Sequence, residues 1–137
     1  MEKSRTSTHR DTPCTLIIKR AEAEEQLSLC IERGHLLLKS TVKPVELTEL
    51  KNAFSEWTDY NMTLLEQMYT CGEYLNAYNA WYGRISRVRI WSVSEEIEVI
   101  RQELEYKIDV LEDCLEELEL IPESDAVIPQ EIEDYDD

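Results

Sequence analysis

Residues 92–121, SVSEEIEVIRQELEYKIDVLEDCLEELELI, decide the fold. Ile97, Leu104, Leu111 and Leu118 recur every seven residues, and Ile100, Ile108 and Leu115 form a second row beside them. The combined steps average about 3.5, the period of a helix that lays one face along another. The remaining faces carry Glu and Asp. Ser92 followed by Glu95 is a capping-box pattern. Glu95, Glu96 and Glu98 sit where the helix dipole favours negative charge. Pro122 stops the helix. At about 1.5 Å per residue the stretch is a rod on the order of 45 Å long.

Working back from this rod, a second helix is predicted from about Val45 to Thr70. Its stripe is Leu50, Phe54, Trp57, Asn61, Leu64 and Met68, widened by Leu47 and Leu65. Asn61 is the polar exception; in such a seam it must find a hydrogen-bond partner, and it fixes register at some cost in stability. Cys71-Gly72 is expected to end this helix, with the glycine in the left-handed conformation. A first helix is predicted from Pro13 to Leu38, with Thr12 as its cap and Ile17, Leu27, Cys30, Ile31, Gly34 and Leu38 on its inner face. Gly34 reads either as a point of close helix approach or as a weak point near the helix end. The result is an all-α fold: an antiparallel bundle of three long helices plus a short aromatic helix.

That aromatic helix carries Tyr74, Tyr78 and Tyr82 in one row, with Trp81 beside them. Arginines follow at once in RISRVRIW (84–91), which reads as a connector crossing the end of the bundle. Rings next to arginines can stack on single-stranded nucleic acid. Packing of the aromatics against the bundle is the reading we adopt, because the nearby negative charge opposes phosphate.

The domain layout is a flexible arm at 1–11, a helical bundle at 12–121 and an acidic, disordered tail at 122–137. Residues 1–91 carry 12 acidic and 12 basic side chains, whereas residues 92–137 carry 18 and 2. The whole net charge of −16 therefore lies in the last third. Such an excess repels nucleic acid and anionic lipid and attracts a basic protein surface. The acids near the C-terminal end of the rod (Glu116, Glu117, Glu119) oppose its dipole, which calls for a cation there: a basic partner or the arginines at 84–89. No apolar run approaches the roughly 18 residues of a membrane span, and Leu16-Ile17-Ile18 is too short for a signal-peptide core. The expectation is a cytoplasmic protein. Cys14, Cys30, Cys71 and Cys114 lie far apart without a CxxC pair. Buried free thiols are the expectation, with a disulfide left open.

Signatures of catalysis are missing from the sequence: it has no glycine-rich phosphate loop, GxSxG, HExxH or calcium loop. Glu32 and His35 fit one Glu-x-x-His pair, and a di-metal bundle needs two. No enzyme activity, cofactor or metal is expected. The candidate partner-binding residues are Glu112, Asp113, Glu116, Glu117 and Glu119 on the last helix and Glu131, Glu133, Asp134 and Tyr135 in the tail. Trp57, Asn61, Leu64, Leu104 and Leu111 are the candidates for packing and register.

The segment from Ile31 to Glu123, with Glu32-Arg33-Gly34, the Trp57, Asn61, Leu64, Leu65 element and the closing Leu118-Glu119-Leu120-Ile121-Pro122-Glu123, carries a family resemblance. It resembles the helical region that precedes TIR-like predicted nucleotide-binding domains in bacterial defence proteins. The catalytic part would follow Pro122, where only the acidic tail stands, so no activity is carried over. The resemblance implies an accessory helical module, a sensor, adaptor or assembly unit in an antiphage or stress system. The sequence thus supports an adaptor or regulatory module that docks a basic partner. Its alternatives are an acidic nucleic-acid mimic that inhibits a DNA-binding protein, and a homodimer or larger homo-oligomer built through the last helix.

Overall fold

The computed structural model describes residues 14–42, 46–81 and 92–124. The arm at 1–11, the connector at 84–91 and the tail beyond Ser124 lie outside the described residues, as do Glu131, Glu133, Asp134 and Tyr135. Four α-helices are described: α1 (Arg20–Ser40), α2 (Leu47–Met68), α3 (Glu73–Tyr78) and α4 (Val93–Glu117), the last continuing into a 3-10 turn at Leu118–Leu120. The fold is the expected all-α bundle of three long helices and one short one.

Contacts along the helices set their directions. Arg20 meets Leu118 and Ile121, and His35 meets Glu112, so α1 runs antiparallel to α4. Trp57 Nε1 donates to Cys30 O at 2.9 Å and Tyr60 OH to Gln26 Oε1 at 3.0 Å, so α1 is antiparallel to α2 as well. Helices α2 and α4 then run in the same direction, with Lys51 and Glu96 paired near their N-terminal ends at 2.9 Å. Short α3 lies between their C-terminal halves rather than across the bundle's end: Tyr74 OH donates to Glu117, and Lys107 Nζ donates to Tyr78 O.

The core is the meeting of the predicted stripes. Leu27, Cys30, Leu65, Met68, Leu104, Leu111 and Cys114 are almost wholly buried, with Trp57, Leu64 and Leu118 close behind. Gly34 is a point of close approach: a Cβ there would stand 2.7 Å from Trp57 Cζ2 and 2.9 Å from Ile108 Cγ1. The bulk that three converging helices can place at this point is limited, and glycine is the residue that yields space.

Four expectations are corrected. The first helix does not begin at Pro13; Cys14 to Lys19 is non-helical and α1 starts at Arg20. Leu16 pairs instead with two other segments, antiparallel to Tyr69 and parallel to Glu123. Helix α2 ends at Met68, before Cys71-Gly72, because Tyr69 turns extended (φ −118°, ψ 151°) to join that pairing. Gly72 is not left-handed; it has φ −101°. The four cysteines are not all free: Cys14 and Cys71 form a disulfide, and Cys30 and Cys114 remain as buried thiols.

Candidate partner-binding face

Helix α4 divides its side chains by its 3.6-residue period. Ile100, Leu104, Ile108, Leu111 and Cys114 point to the core. Glu105, Asp109, Glu112 and Glu116, at steps of four, three and four, fall on the opposite line, with Asp113 beside them and Glu119 on the following turn. The helix is started where the sequence places its cap: Ser92 Oγ accepts from Glu95 N at 3.1 Å, and Ser92 N donates to Glu95 Oε1 at 2.8 Å.

Cations reach only part of this strip. Arg101 bonds Glu98, which holds the Glu98 carboxyl below the usual range, and Arg101 Nη1 lies 3.3 Å from Glu105. His35 Nε2 lies 3.4 Å from Glu112, so the one Glu-x-x-His histidine is engaged with another helix. Among the described residues no cation pairs with Asp109, Asp113, Glu116 or Glu119. Asp113, Glu116, Glu117 and Glu119 are exposed and Glu112 is half-buried. Glu117 accepts from Tyr74 OH at 2.8 Å, which ties that carboxylate to α3.

The cation called for at the end of α4 is Arg20, from the opposite end of the chain. Its Nε donates to Leu118 O at 3.1 Å, and its Nη2 donates to Ile121 O. Spacing along α4 gives no sign of this, since the contact joins residues about a hundred positions apart.

Beneath the acidic face is a buried polar cluster. Asn61 is fully buried; its Nδ2 donates to Tyr78 OH at 2.9 Å, and its Oδ1 has no protein partner among the described residues. Lys107, four residues after Glu103 on α4, is 3% exposed. Its Nζ donates to Tyr78 O at 2.9 Å, sits 4.1 Å from the centre of the Tyr78 ring and lies 3.5 Å from Glu103. Burial pulls the Lys107 ammonium pKa down and Glu103 partly restores it. Burial likewise raises the Tyr78 phenol.

Of the packing candidates, Leu104 and Leu111 are fully buried and Trp57 and Leu64 nearly so. Tyr78 is buried too, and Tyr74 stacks on Tyr69 with ring centres 4.4 Å apart. Both rings pack against the bundle, Tyr78 wholly and Tyr74 in part. No group of three or more metal-binding side chains occurs among the described residues, and no described helix is long and apolar enough to cross a membrane. The chain matches no family model, no curated protein and no solved structure.

Proposed function

We propose that this protein is a non-enzymatic interaction module whose α4 face, with the acidic tail, docks a basic protein partner. The observation that carries the reading is the exposed set Asp109, Asp113, Glu116 and Glu119, left without a cation by the rest of the described chain. An uncompensated strip on a rigid helix steers a basic partner at long range and costs little to desolvate at its rim. The resemblance to the helical regions of TIR-associated defence proteins suggests the setting: an accessory adaptor in an antiphage or stress response. A cytoplasmic location goes with that setting. The dimer alternative loses its main surface, because Leu104 and Leu111 are spent inside the chain.

The test is affinity capture from source cells at low and high salt, using the full chain and an Asp109→Lys, Asp113→Lys, Glu116→Lys variant. A basic protein held by the full chain and lost with salt or with charge reversal is the expected result. Retention indifferent to both would overturn the reading. Displacement of that protein by DNA would identify the acidic-mimic alternative.

A further inference from the structure

The residues before α1 are the middle member of a three-segment ladder. Ile17 N donates to Met68 O at 2.7 Å and Thr70 N to Thr15 O at 2.9 Å on one side. Leu16 N donates to Pro122 O and Ser124 N to Leu16 O, both at 2.8 Å, on the other. Leu16 itself is fully buried. The Cys14–Cys71 bridge lies at the rim of this junction, where both residues are half-buried. We propose that the bridge is a reducible clamp: a dithiol opens it, residues 14–18 come away from the junction, and the helical core stays folded. The proposal is independent of the docking reading.

Three observations support it. Paired segments this short are not stable on their own, so the covalent tie works beside the burial of Leu16 and the Arg20–Glu123 contact in holding the ladder shut. The helices also pack on one another away from the ladder: Leu27, Cys30, Leu104 and Leu111 belong to a core that Leu16 joins, and Gly34 stands against Trp57 and Ile108. The two remaining cysteines also cannot scramble the pairing. Cys30 and Cys114 are each 1% exposed, and burial pushes their thiols up to about 11 and about 12, so at neutral pH they are protonated and out of reach. Opening and reclosure therefore restore the same bridge.

The chemistry is thiol–disulfide exchange. One thiolate of the dithiol attacks a sulfur of the bridge, forming a mixed disulfide and releasing the other cysteine, which takes up a proton. The second thiol of the reagent then attacks the mixed disulfide and leaves as its own cyclic disulfide. Two electrons and two protons pass to Cys14 and Cys71. The backbone hydrogen bonds of Thr15, Leu16 and Ile17 to Thr70, Pro122, Ser124 and Met68 then break.

Hydrogen exchange of the full chain, followed by mass spectrometry with and without dithiothreitol, tests this. Reduction should speed exchange by about tenfold or more at residues 15–17, Thr70 and Ser124, while peptides around Leu27–Gly34 and Leu104–Leu111 hold their rates. Reoxidation should restore protection. A Cys14→Ser, Cys71→Ser chain should exchange like the reduced protein and ignore dithiothreitol; if that chain does not fold, the wild-type arms decide alone. Equal acceleration in the core would make the bridge a global staple and overturn the clamp. Unchanged protection in the ladder would overturn it as well.

Discussion

Arg20 and Glu123 each close the other's helix. Glu123 Oε2 accepts from Arg20 N at 2.8 Å, placing a carboxylate on the first amide of α1. The Arg20 guanidinium in turn takes the carbonyls of Leu118 and Ile121 at the end of α4. Both charges have the sign that the helix dipoles favour. Lys19, the residue before α1, makes no side-chain cap bond of its own, so Glu123 stands in for one. Arg20→Ala should cost about 2 kcal/mol, the order of a charge-assisted hydrogen-bond set. Glu123→Ala should cost about 1 kcal/mol, the worth of a cap. Urea midpoints for both variants check this, and a larger loss for Glu123→Ala would contradict the assignment.

Gly34→Ala tests the close approach of α1. Alanine is the better helix former by about 1 kcal/mol, which alone predicts stabilisation. The added Cβ would meet Trp57 Cζ2 and Ile108 Cγ1 together, and both side chains are buried. Overpacking of this kind costs about 1–3 kcal/mol, so the net change should be destabilising by roughly 1 kcal/mol. A higher melting temperature for Gly34→Ala would show that the helices part without cost.

Periodicity made the helices legible, and long-range pairing hid the rest. The stripe Leu104, Leu111, Leu118 and the cap at Ser92 depend on neighbours three to seven residues away, and the structure reproduces them. Leu16-Ile17-Ile18 looks equally apolar, yet its partners are Tyr69 and Glu123, which no local pattern names. The same holds for Cys14 and Cys71, 57 residues apart, whose pairing cannot be read from spacing. On the acidic face, Glu112, Asp113 and Glu116 were legible as charges. Glu105 and Asp109, which complete their line, follow from the same period and are exposed. The Glu103–Lys107 pair follows from a spacing of four residues, but that spacing looks alike whether exposed or buried, so the burial of Lys107 does not show in it.

Asn61 and Tyr78 should behave as a coupled pair. Asn61→Leu removes an unpartnered oxygen but strands the Tyr78 hydroxyl; Tyr78→Phe strands the amide. Each single change should cost about 1 kcal/mol, and the double change Asn61→Leu, Tyr78→Phe should cost clearly less than their sum. Chemical denaturation of the four proteins gives the coupling energy. Strict additivity would mean that the 2.9 Å contact carries no stabilisation.

Alkaline pH should unfold this protein early. In the unfolded chain the thiols of Cys30 and Cys114 titrate near 9.0. The phenols of Tyr69, Tyr74 and Tyr78 follow near 10.0. Burial raises all five in the fold, so the folded state holds protons that the unfolded state has lost. Stability is then full below about pH 8 and falls as pH climbs through the unfolded values. Lys107 works the other way. Its pKa is lowered in the fold from the ordinary 10.5, so the unfolded chain binds the extra proton and this contribution rises with pH. One lysine against five acids leaves a net decline. The melting temperature should drop steadily from about pH 8.5 to 10.5, and more steeply in Lys107→Met, where the opposing contribution is gone. A flat profile over that range would mean that the buried phenols and thiols ionise as readily in the fold as outside it.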